Sequence, residues 1–319
     1  MSHPSLESSL TLQCMEVLGG NTRTFRKIEM HGIDAWVSTD PLGGPSGGDV
    51  HYLSSCGTGR IIRILVADVS GHGQEVARVA GELAGVMRRH VNTLDQNLFV
   101  RALNREFKTL IERGQFATAV SATFFGPTCE LEVTNAGHPR PLLFRASTRR
   151  WSALEGPPLP EGKVANLPLG ILDKVHYFSH SSRLVRGDFV LLYSDAVTES
   201  VGPDGDQLGE SGLIELVSAL DSPVGESFLE NLVAALQNWR STALDDDETL
   251  LLFSPNEMRP DTTFAGRLRG TLQMVRSFSA AVRRGEGLPI PDAAPANIGG
   301  AMVPALSRLW SRKSPGGER

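Results

Sequence analysis

Four aspartates lie far apart in the chain, in local settings that suit metal binding: Asp49, Asp68, Asp195 and Asp246. Asp68 and Asp195 closely follow the apolar runs at 61–66 and 189–193, and Asp246 precedes a third run at 250–253. Apolar runs bounded by glycine or polar residues are typical of buried strands. Carboxylates at strand ends, beside glycines that let the backbone bend, can act as oxygen ligands for divalent cations. The pattern therefore predicts a metal site at the edge of a sheet.

The elements that must position these aspartates occur in clusters along the chain. After Gly73, apolar residues recur at three- and four-residue steps over 76–87 and again over 98–110, as in amphipathic helices. Two strand-like segments follow, and two further amphipathic segments lie near 212–220 and 226–240. Clustered strands with paired helices differ from strict βαβ alternation. We therefore predict an α+β fold, a layered sandwich in which helix pairs cover mostly antiparallel sheets.

Size and composition narrow the class of protein. The 319 residues are 40% hydrophobic and 21% charged, which is typical of a soluble globular chain with a substantial core. The net charge of −5 argues against nucleic acid as a partner. Three widely spaced cysteines predict reduced thiols rather than a disulfide framework or a zinc site. No signal peptide or apolar run of roughly 20 residues is evident, so we predict a cytoplasmic location.

Three regions are expected. Residues 1–30 are predicted to be a lead-in with a first strand around 12–18, and residues 31–256 the main domain. Residues 257–319 are predicted to form a basic amphipathic helix and a Gly/Pro-rich flexible tail. Residues 258–319 carry a net charge of +6, leaving −11 for residues 1–257. The tail helix lacks one clean cationic face, so contact with a membrane surface is not favoured.

Five short motifs follow one another along the chain: Gly-Gly-Asp (47–49), Ala-Asp-Val-Ser-Gly-His-Gly (67–73), Asn-Ala-Gly-His-Pro (135–139), Tyr-Ser-Asp-Ala-Val-Thr-Glu (193–199) and Asp-Asp-x-Thr-Leu (246–250). In type and order they resemble the motifs of PPM-type metal-dependent serine/threonine phosphatases, in particular the bacterial SpoIIE/RsbU-like branch. The resemblance covers about residues 31–255. It implies the PPM fold, with two central sheets between helix layers, and hydrolysis of phosphoserine or phosphothreonine by a water that two divalent cations activate.

The resemblance also implies a role for each aspartate. Asp68 would bridge the two cations and position the water, while Asp49 and the Val69 backbone carbonyl would complete the first site. Asp195 and Asp246 would hold the second cation. Because three aspartates adjoin at 245–247, Asp247 remains an alternative to Asp246. Ligation by oxygen favours Mn²⁺ or Mg²⁺ over zinc.

Two departures from the family pattern, and one histidine, qualify the assignment. The second acid that usually follows the Gly-Gly-Asp motif is missing, because Tyr52 stands there. Ala196 replaces a glycine, which would cost about 1 kcal/mol if the turn needs a positive φ. His72 could protonate a leaving group or orient water, or it could only begin a helix.

The leading function is dephosphorylation of a phosphoprotein, and the resemblance suggests an anti-sigma-factor antagonist in a partner-switching pathway. A non-catalytic phosphoprotein-binding module and a hydrolase of small phosphate esters remain alternatives. The resemblance also implies a regulatory switch in the helices at 74–114. We expect a regulatory partner, a homodimer contact or the C-terminal tail to bias those helices.

Overall fold

The computed structural model describes residues 7–14, 16–71, 74–111, 114–156, 165–221 and 223–258. The first six residues, His72 and the predicted tail beyond residue 258 lie outside these ranges. None of the helices within the ranges is long and apolar enough to cross a membrane.

The first half of the described chain consists of six strands, two helices and two further strands. In chain order they are β1 (Glu7–Thr11), β2 (Val17–Thr22), β3 (Thr24–Met30), β4 (Ile33–Asp40), β5 (Ser46–Ser55), β6 (Ile61–Val69), α1 (Gln74–Arg89), α2 (Gln96–Leu110), β7 (Ala117–Phe125) and β8 (Glu130–Ala136). The second half consists of β9 (Leu142–Arg145), β10 (Arg150–Ala153), β11 (Ser179–Arg183), β12 (Phe189–Tyr193), α3 (Asp195–Glu199), α4 (Gly209–Ala219), α5 (Gly225–Trp239) and β13 (Glu248–Pro255).

These strands form two sheets. The seven-stranded sheet has the order β1-β3-β4-β13-β12-β9-β10, and the six-stranded sheet has the order β11-β8-β7-β6-β5-β2. β1 runs parallel to β3, and the other neighbouring strands pair antiparallel. The apolar faces of both sheets contribute to one buried cluster that includes Ile33, Ile64, Leu192 and Phe253. The two sheets therefore pack face to face.

Helices cover the outer faces, because their apolar stripes need a surface to bury against. Leu83 of α1 and Phe107 of α2 belong to a cluster with Leu65 of the six-stranded sheet. Leu213 of α4 and Leu232 of α5 belong to another with residues of the seven-stranded sheet. This arrangement of helix, sheet, sheet and helix layers confirms the predicted α+β sandwich.

The prediction of one strand around residues 12–18 is wrong. β1 lies in the seven-stranded sheet and β2 in the six-stranded sheet, so the chain between them must pass from one layer to the other. The described part of this crossing is irregular, and the Gln13 amide donates to the Glu16 carboxylate at 2.9 Å. The β3–β4 hairpin also crosses the predicted boundary at residue 31, so three strands precede the point where we placed the main domain.

Candidate metal centre

The pairing of β5 with β6 places the first two aspartates side by side. Asp49 and Asp68 are directly opposite in this antiparallel pair. Residues opposite one another in neighbouring strands point to the same face, so both carboxylates are on one side of the six-stranded sheet. Asp49 is 2% exposed. Two acids in this position repel each other, which makes a cation at this point favourable.

The other two aspartates reach the same region from the seven-stranded sheet. Tyr193 ends β12 opposite Leu250 of β13, and Asp195 follows as the first residue of α3. Asp246 lies two residues before the start of β13, at the same edge of the sheet. The pKa of Asp68 rises to about 7, first because of burial and then because Asp195, Asp246 and Asp247 are negatively charged nearby. The structure thus brings all the predicted carboxylates together.

Asp49 shows that this cluster is suited to hold a cation. Its Oδ2 atom is buried and finds no hydrogen-bond partner among the described residues. The hydroxyls of Ser194 and Thr249 lie near the same carboxyl and favour its charged form. Burial and, next, the charge of Asp68 nevertheless hold the pKa of Asp49 well above its usual range. A buried carboxylate with a free oxygen and a carboxylate neighbour is a good ligand for a divalent cation.

The Val69 carbonyl oxygen and the Asp68 carboxylate both lie beside Gly48. A Cβ atom placed on Gly48 would be 2.9 Å from the Val69 oxygen and 3.5 Å from Asp68 Oδ1. Gly48 therefore lets β5 approach the end of β6, and both oxygens lie beside it. All the atoms offered at this edge are hard oxygen donors, which suit Mg²⁺ or Mn²⁺. The described His, Cys, Asp and Glu side chains do not form a ready-made cage of three or more ligands.

The two candidates at the last motif, Asp246 and Asp247, have different surroundings. Asp247 is 9% exposed, and its carboxylate accepts hydrogen bonds from the backbone amides of Leu42 at 2.6 Å, Gly48 at 2.5 Å and Asp49 at 3.3 Å. Asp246 is exposed, and its Oδ1 accepts from the Asp247 amide at 2.8 Å. Asp247 thus braces the Gly-Gly-Asp segment, while Asp246 keeps oxygen available for a ligand role.

Gly47 makes this brace sterically feasible, and its substitution gives a direct test. A Cβ atom on Gly47 would be 2.1 Å from Asp247 Oδ2, which is far inside van der Waals contact. We expect Gly47→Ala to displace the Asp247 carboxylate and to lower the free energy of unfolding by about 2 kcal/mol. Urea unfolding measures this change.

Gly44→Ala is the matched control for Gly47→Ala. A Cβ atom at Gly44 would meet its nearest neighbour, the Ser46 carbonyl oxygen, at an ordinary 3.7 Å. The control should therefore unfold at nearly the same urea concentration as the natural chain. Equal unfolding midpoints for the two variants would contradict the proposed role of Asp247.

The structure accounts for both departures from the family pattern. Ala196 lies inside helix α3 and is not among the residues with positive φ, so the predicted backbone cost does not arise. The Tyr52 hydroxyl donates to the Ala80 carbonyl of α1 at 2.8 Å, so it links the helix layer to the sheet instead of contributing an acid. Neither substitution removes a predicted ligand.

The motifs contain two histidines, His72 and His138, and the structure describes only His138. His72 lies outside the described residues, so its catalytic role stays a prediction. His138 is buried, and its Nδ1 atom lies 2.9 Å from the hydroxyl of Thr118, the residue opposite Asp68 on β7. Burial lowers the pKa of His138 to about 3, so the ring is neutral. This histidine supports the strand beside Asp68.

Sequence reasoning missed two residues that lie beside the predicted ligands. It gave no role to Ser194 or Thr249, yet both hydroxyls lie near the Asp49 carboxyl. Ser194 Oγ also accepts the Thr249 amide at 2.9 Å, which joins the two ligand-bearing segments of the seven-stranded sheet. Their place within the motifs, beside Asp195 and Asp247, was the signal that could have indicated them.

A comparison with models of known protein families identifies the family of this chain. The family model of Stage II sporulation protein E (SpoIIE) matches residues 58–256, well over half of the chain. The chain belongs to the SpoIIE family. This membership confirms the resemblance predicted from the motifs, and the family model spans Asp68, Asp195 and Asp246.

Similar proteins show the same relationship. Phosphoserine phosphatase RsbU of Bacillus subtilis (strain 168) is 24% identical over 192 residues, which are 60% of this chain and 55% of RsbU. The match thus spans about half the length of that relative. The RsbU and RsbW domains of a Mycobacterium tuberculosis protein superpose with a TM-score of 0.59 and 22% identity, covering 82% of this chain and 72% of that one. RsbX in complex with magnesium gives a TM-score of 0.52 and 17% identity, with 73% and 100% covered. These structures share the fold.

Proposed function

We propose that this SpoIIE-family protein is a metal-dependent phosphatase that hydrolyses phosphoserine or phosphothreonine on a protein. The single observation that carries the proposal is the convergence of Asp49, Asp68, Asp195 and Asp246 at one edge of the two sheets. The unpaired, buried Oδ2 atom of Asp49 supports a cation at this edge. Membership of the SpoIIE family and similarity to a phosphoserine phosphatase support the reaction class.

Two groups of oxygens would hold two divalent cations, Mn²⁺ or Mg²⁺. Asp49, Asp68 and the Val69 carbonyl would hold one, and Asp68, Asp195 and Asp246 the other. When bound, such a pair supplies charge neutralisation for the phosphoryl oxygens and a water that ionises near neutral pH. Asp68, common to both groups, would position that water. Ser194 and Thr249 would fix the Asp49 carboxyl through their hydroxyls.

The proposed substrate is a phosphoprotein, and we infer an anti-sigma-factor antagonist from the resemblance to the RsbU-like branch. RsbU itself is named a phosphoserine phosphatase. Cys14, Cys56 and Cys129 are free thiols, which fits a reaction in the cytoplasm.

We also propose that the helices within residues 74–114 respond to a regulatory partner, a second copy or the tail. Val76 of α1 supports coupling to the site, because its Cγ1 atom is 3.3 Å from the position of a Cβ on Gly48. A shift of α1 would therefore change the packing around Gly48, beside Asp68. If removal of residues 259–319 changes neither activity nor oligomeric state, the tail has no part in this regulation.

The substrate class is tested by comparing esters under one condition. With Mn²⁺ present, we expect a higher kcat/KM for a phosphoserine or phosphothreonine protein than for p-nitrophenyl phosphate, with phosphotyrosine peptide as control. Efficient hydrolysis of the small ester alone would favour a small-ester hydrolase. Binding of the phosphoprotein without hydrolysis, at saturating Mn²⁺, would favour a binding module.

A further inference from the structure

We propose that Arg240 is a positioning residue that ties together the two segments carrying Asp195 and Asp246. Arg240 lies directly after helix α5 and outside the motifs. Its guanidinium forms a buried ion pair with Glu248, and its Nε donates to the Ser200 hydroxyl at 2.8 Å. One side chain thus contacts both segments that would hold the second cation. The inference rests on the proposed function only for the identity of the ligands.

The contact with Ser200 reaches Asp195 through a short helix. The Ser200 hydroxyl donates to the Ala196 carbonyl at 2.7 Å, and the Ser200 amide donates to the same carbonyl at 3.1 Å. Ser200 thereby closes α3, which begins at Asp195. Because α3 is only five residues long, a displacement of Ser200 moves its first residue as well.

The contact with Glu248 reaches Asp246 over two residues. Glu248 is the first residue of β13 and lies opposite Asp40 of β4. The side chains of Arg240 and Glu248 are each 7% exposed. Removal of either one would leave a buried charge without its partner, so the start of β13 would have to move.

An arginine suits this position because two different nitrogens of one guanidinium contact the two partners. A guanidinium has five N–H donors in a planar fork and can bind a hydroxyl and a carboxylate at once, whereas an ammonium group is a single compact charge. Ser241 reinforces the same link, since its hydroxyl donates to the Gly202 carbonyl at 2.8 Å. The chain after α5 is therefore fastened to the chain after α3.

Hydrogen exchange of the metal-free protein tests this link without relying on activity. We expect Arg240→Met to accelerate amide exchange about tenfold in two separated segments, 195–200 and 246–250, with smaller changes elsewhere. Arg240→Lys should give a smaller change confined mainly to 195–200, because the ammonium can still pair with Glu248. Uniform acceleration, or none in these two segments, would overturn the proposal.

Arg145→Met is the matched control. Arg145 forms an ion pair with the buried Asp188 at 2.8 Å, and its contacts are with Asp188, Ser182 and the Arg183 carbonyl, away from both ligand segments. This variant should accelerate exchange near 182–188 and leave 195–200 and 246–250 unchanged. If Arg240→Met does not fold, two milder variants replace it. Arg240→Lys should accelerate exchange mainly in 195–200, and Glu248→Gln, which retains the shape of the side chain, mainly in 246–250.

Calorimetric titration with Mn²⁺ measures how the Arg240 variants change metal affinity. We expect about tenfold weaker binding in the Arg240 variants and unchanged binding in Arg145→Met, because residues that orient ligands commonly affect metal affinity by this amount. Unchanged Mn²⁺ binding in the Arg240 variants would overturn the positioning role. If the natural chain binds no Mn²⁺, the proposed function fails, and the exchange experiment still decides whether Arg240 fixes the two segments.

Discussion

Asp68→Asn is expected to remove Mn²⁺-dependent phosphate-ester hydrolysis and, at the same time, to stabilise the metal-free protein. Activity should fall at least about a thousandfold, because metal assistance contributes several kcal/mol to the barrier and each 1.36 kcal/mol is a factor of ten. An assay with p-nitrophenyl phosphate and Mn²⁺ measures this loss. The two effects have opposite directions because, in the proposed site, the Asp68 carboxylate binds the cation but destabilises the metal-free fold.

The stability gain follows from the raised pKa of Asp68. Its ordinary value is 3.8, and burial with three acidic neighbours raises the pKa in the folded chain to about 7. The folded state therefore disfavours the ionised form, so this residue costs stability as the pH rises from about 4 to about 7, and the cost is constant above that range. An amide has no charge to disfavour. At pH 8 the gain should be on the order of 1–3 kcal/mol.

Thermal unfolding in EDTA at pH 5 and pH 8 checks the sign. The difference in stability between Asp68→Asn and the natural chain should be larger at pH 8. Addition of Mn²⁺ to 100 times its Kd should stabilise the natural chain by about 2.7 kcal/mol and the variant by much less. Equal activity of the two proteins, or an equal shift with Mn²⁺, would contradict the assignment of Asp68.

Asp247→Ala is expected mainly to lower the stability of the fold, and Asp246→Ala mainly to weaken metal binding, although the two residues are adjacent. Asp247→Ala leaves the amides of Leu42, Gly48 and Asp49 without their acceptor. Hydrogen bonds to a charged group contribute about 1.5–3 kcal/mol each, so the loss of stability should be on the order of 3–5 kcal/mol. Asp246→Ala removes an exposed carboxylate, so stability should change by about 0.5 kcal/mol or less.

Metal binding should show the reverse order. Asp246→Ala should eliminate the second Mn²⁺ site, whereas Asp247→Asn keeps one acceptor oxygen and should retain two sites with weaker affinity. Calorimetry for Mn²⁺ and urea unfolding for stability separate the two effects. The opposite result would be that Asp246→Ala is strongly destabilised, whereas Asp247→Ala is stable and binds one Mn²⁺. That result would mean that the roles assigned to the two residues are exchanged.

The sequence predicted the sandwich and the acidic cluster because both depend on local signals. Apolar runs marked β6, β12 and β13. Antiparallel neighbours bring the aspartates together in pairs, Asp49 with Asp68 in one sheet and Asp195 with Asp246 in the other. The packing of the two sheets then places the pairs side by side. Predictions failed where a segment changes layer, as between β1 and β2, since an apolar residue in such a crossing is buried just as it is in a strand.

The finer assignment could not be made from sequence, because it depends on contacts between distant residues. Three consecutive aspartates have the same local signal, and only the bonds from Asp247 to Leu42 and Gly48, 205 and 199 positions away, distinguish it from Asp246. Arg240 stands in no motif, and its link to Ser200 and Glu248 arises only when α5 packs on the sheet. A supporting residue that stands outside the motifs is visible only in the fold.

The most direct test of the metal centre is anomalous diffraction at the manganese edge from crystals grown with Mn²⁺. Two ions per chain are predicted, one bound by Asp49, Asp68 and the Val69 carbonyl, and one bound by Asp68, Asp195 and Asp246. Crystals of Asp68→Asn should lose at least one of them. Crystals grown in saturating Mn²⁺ that show no manganese at this edge would contradict the account. So would manganese bound by Asp247 in place of Asp246.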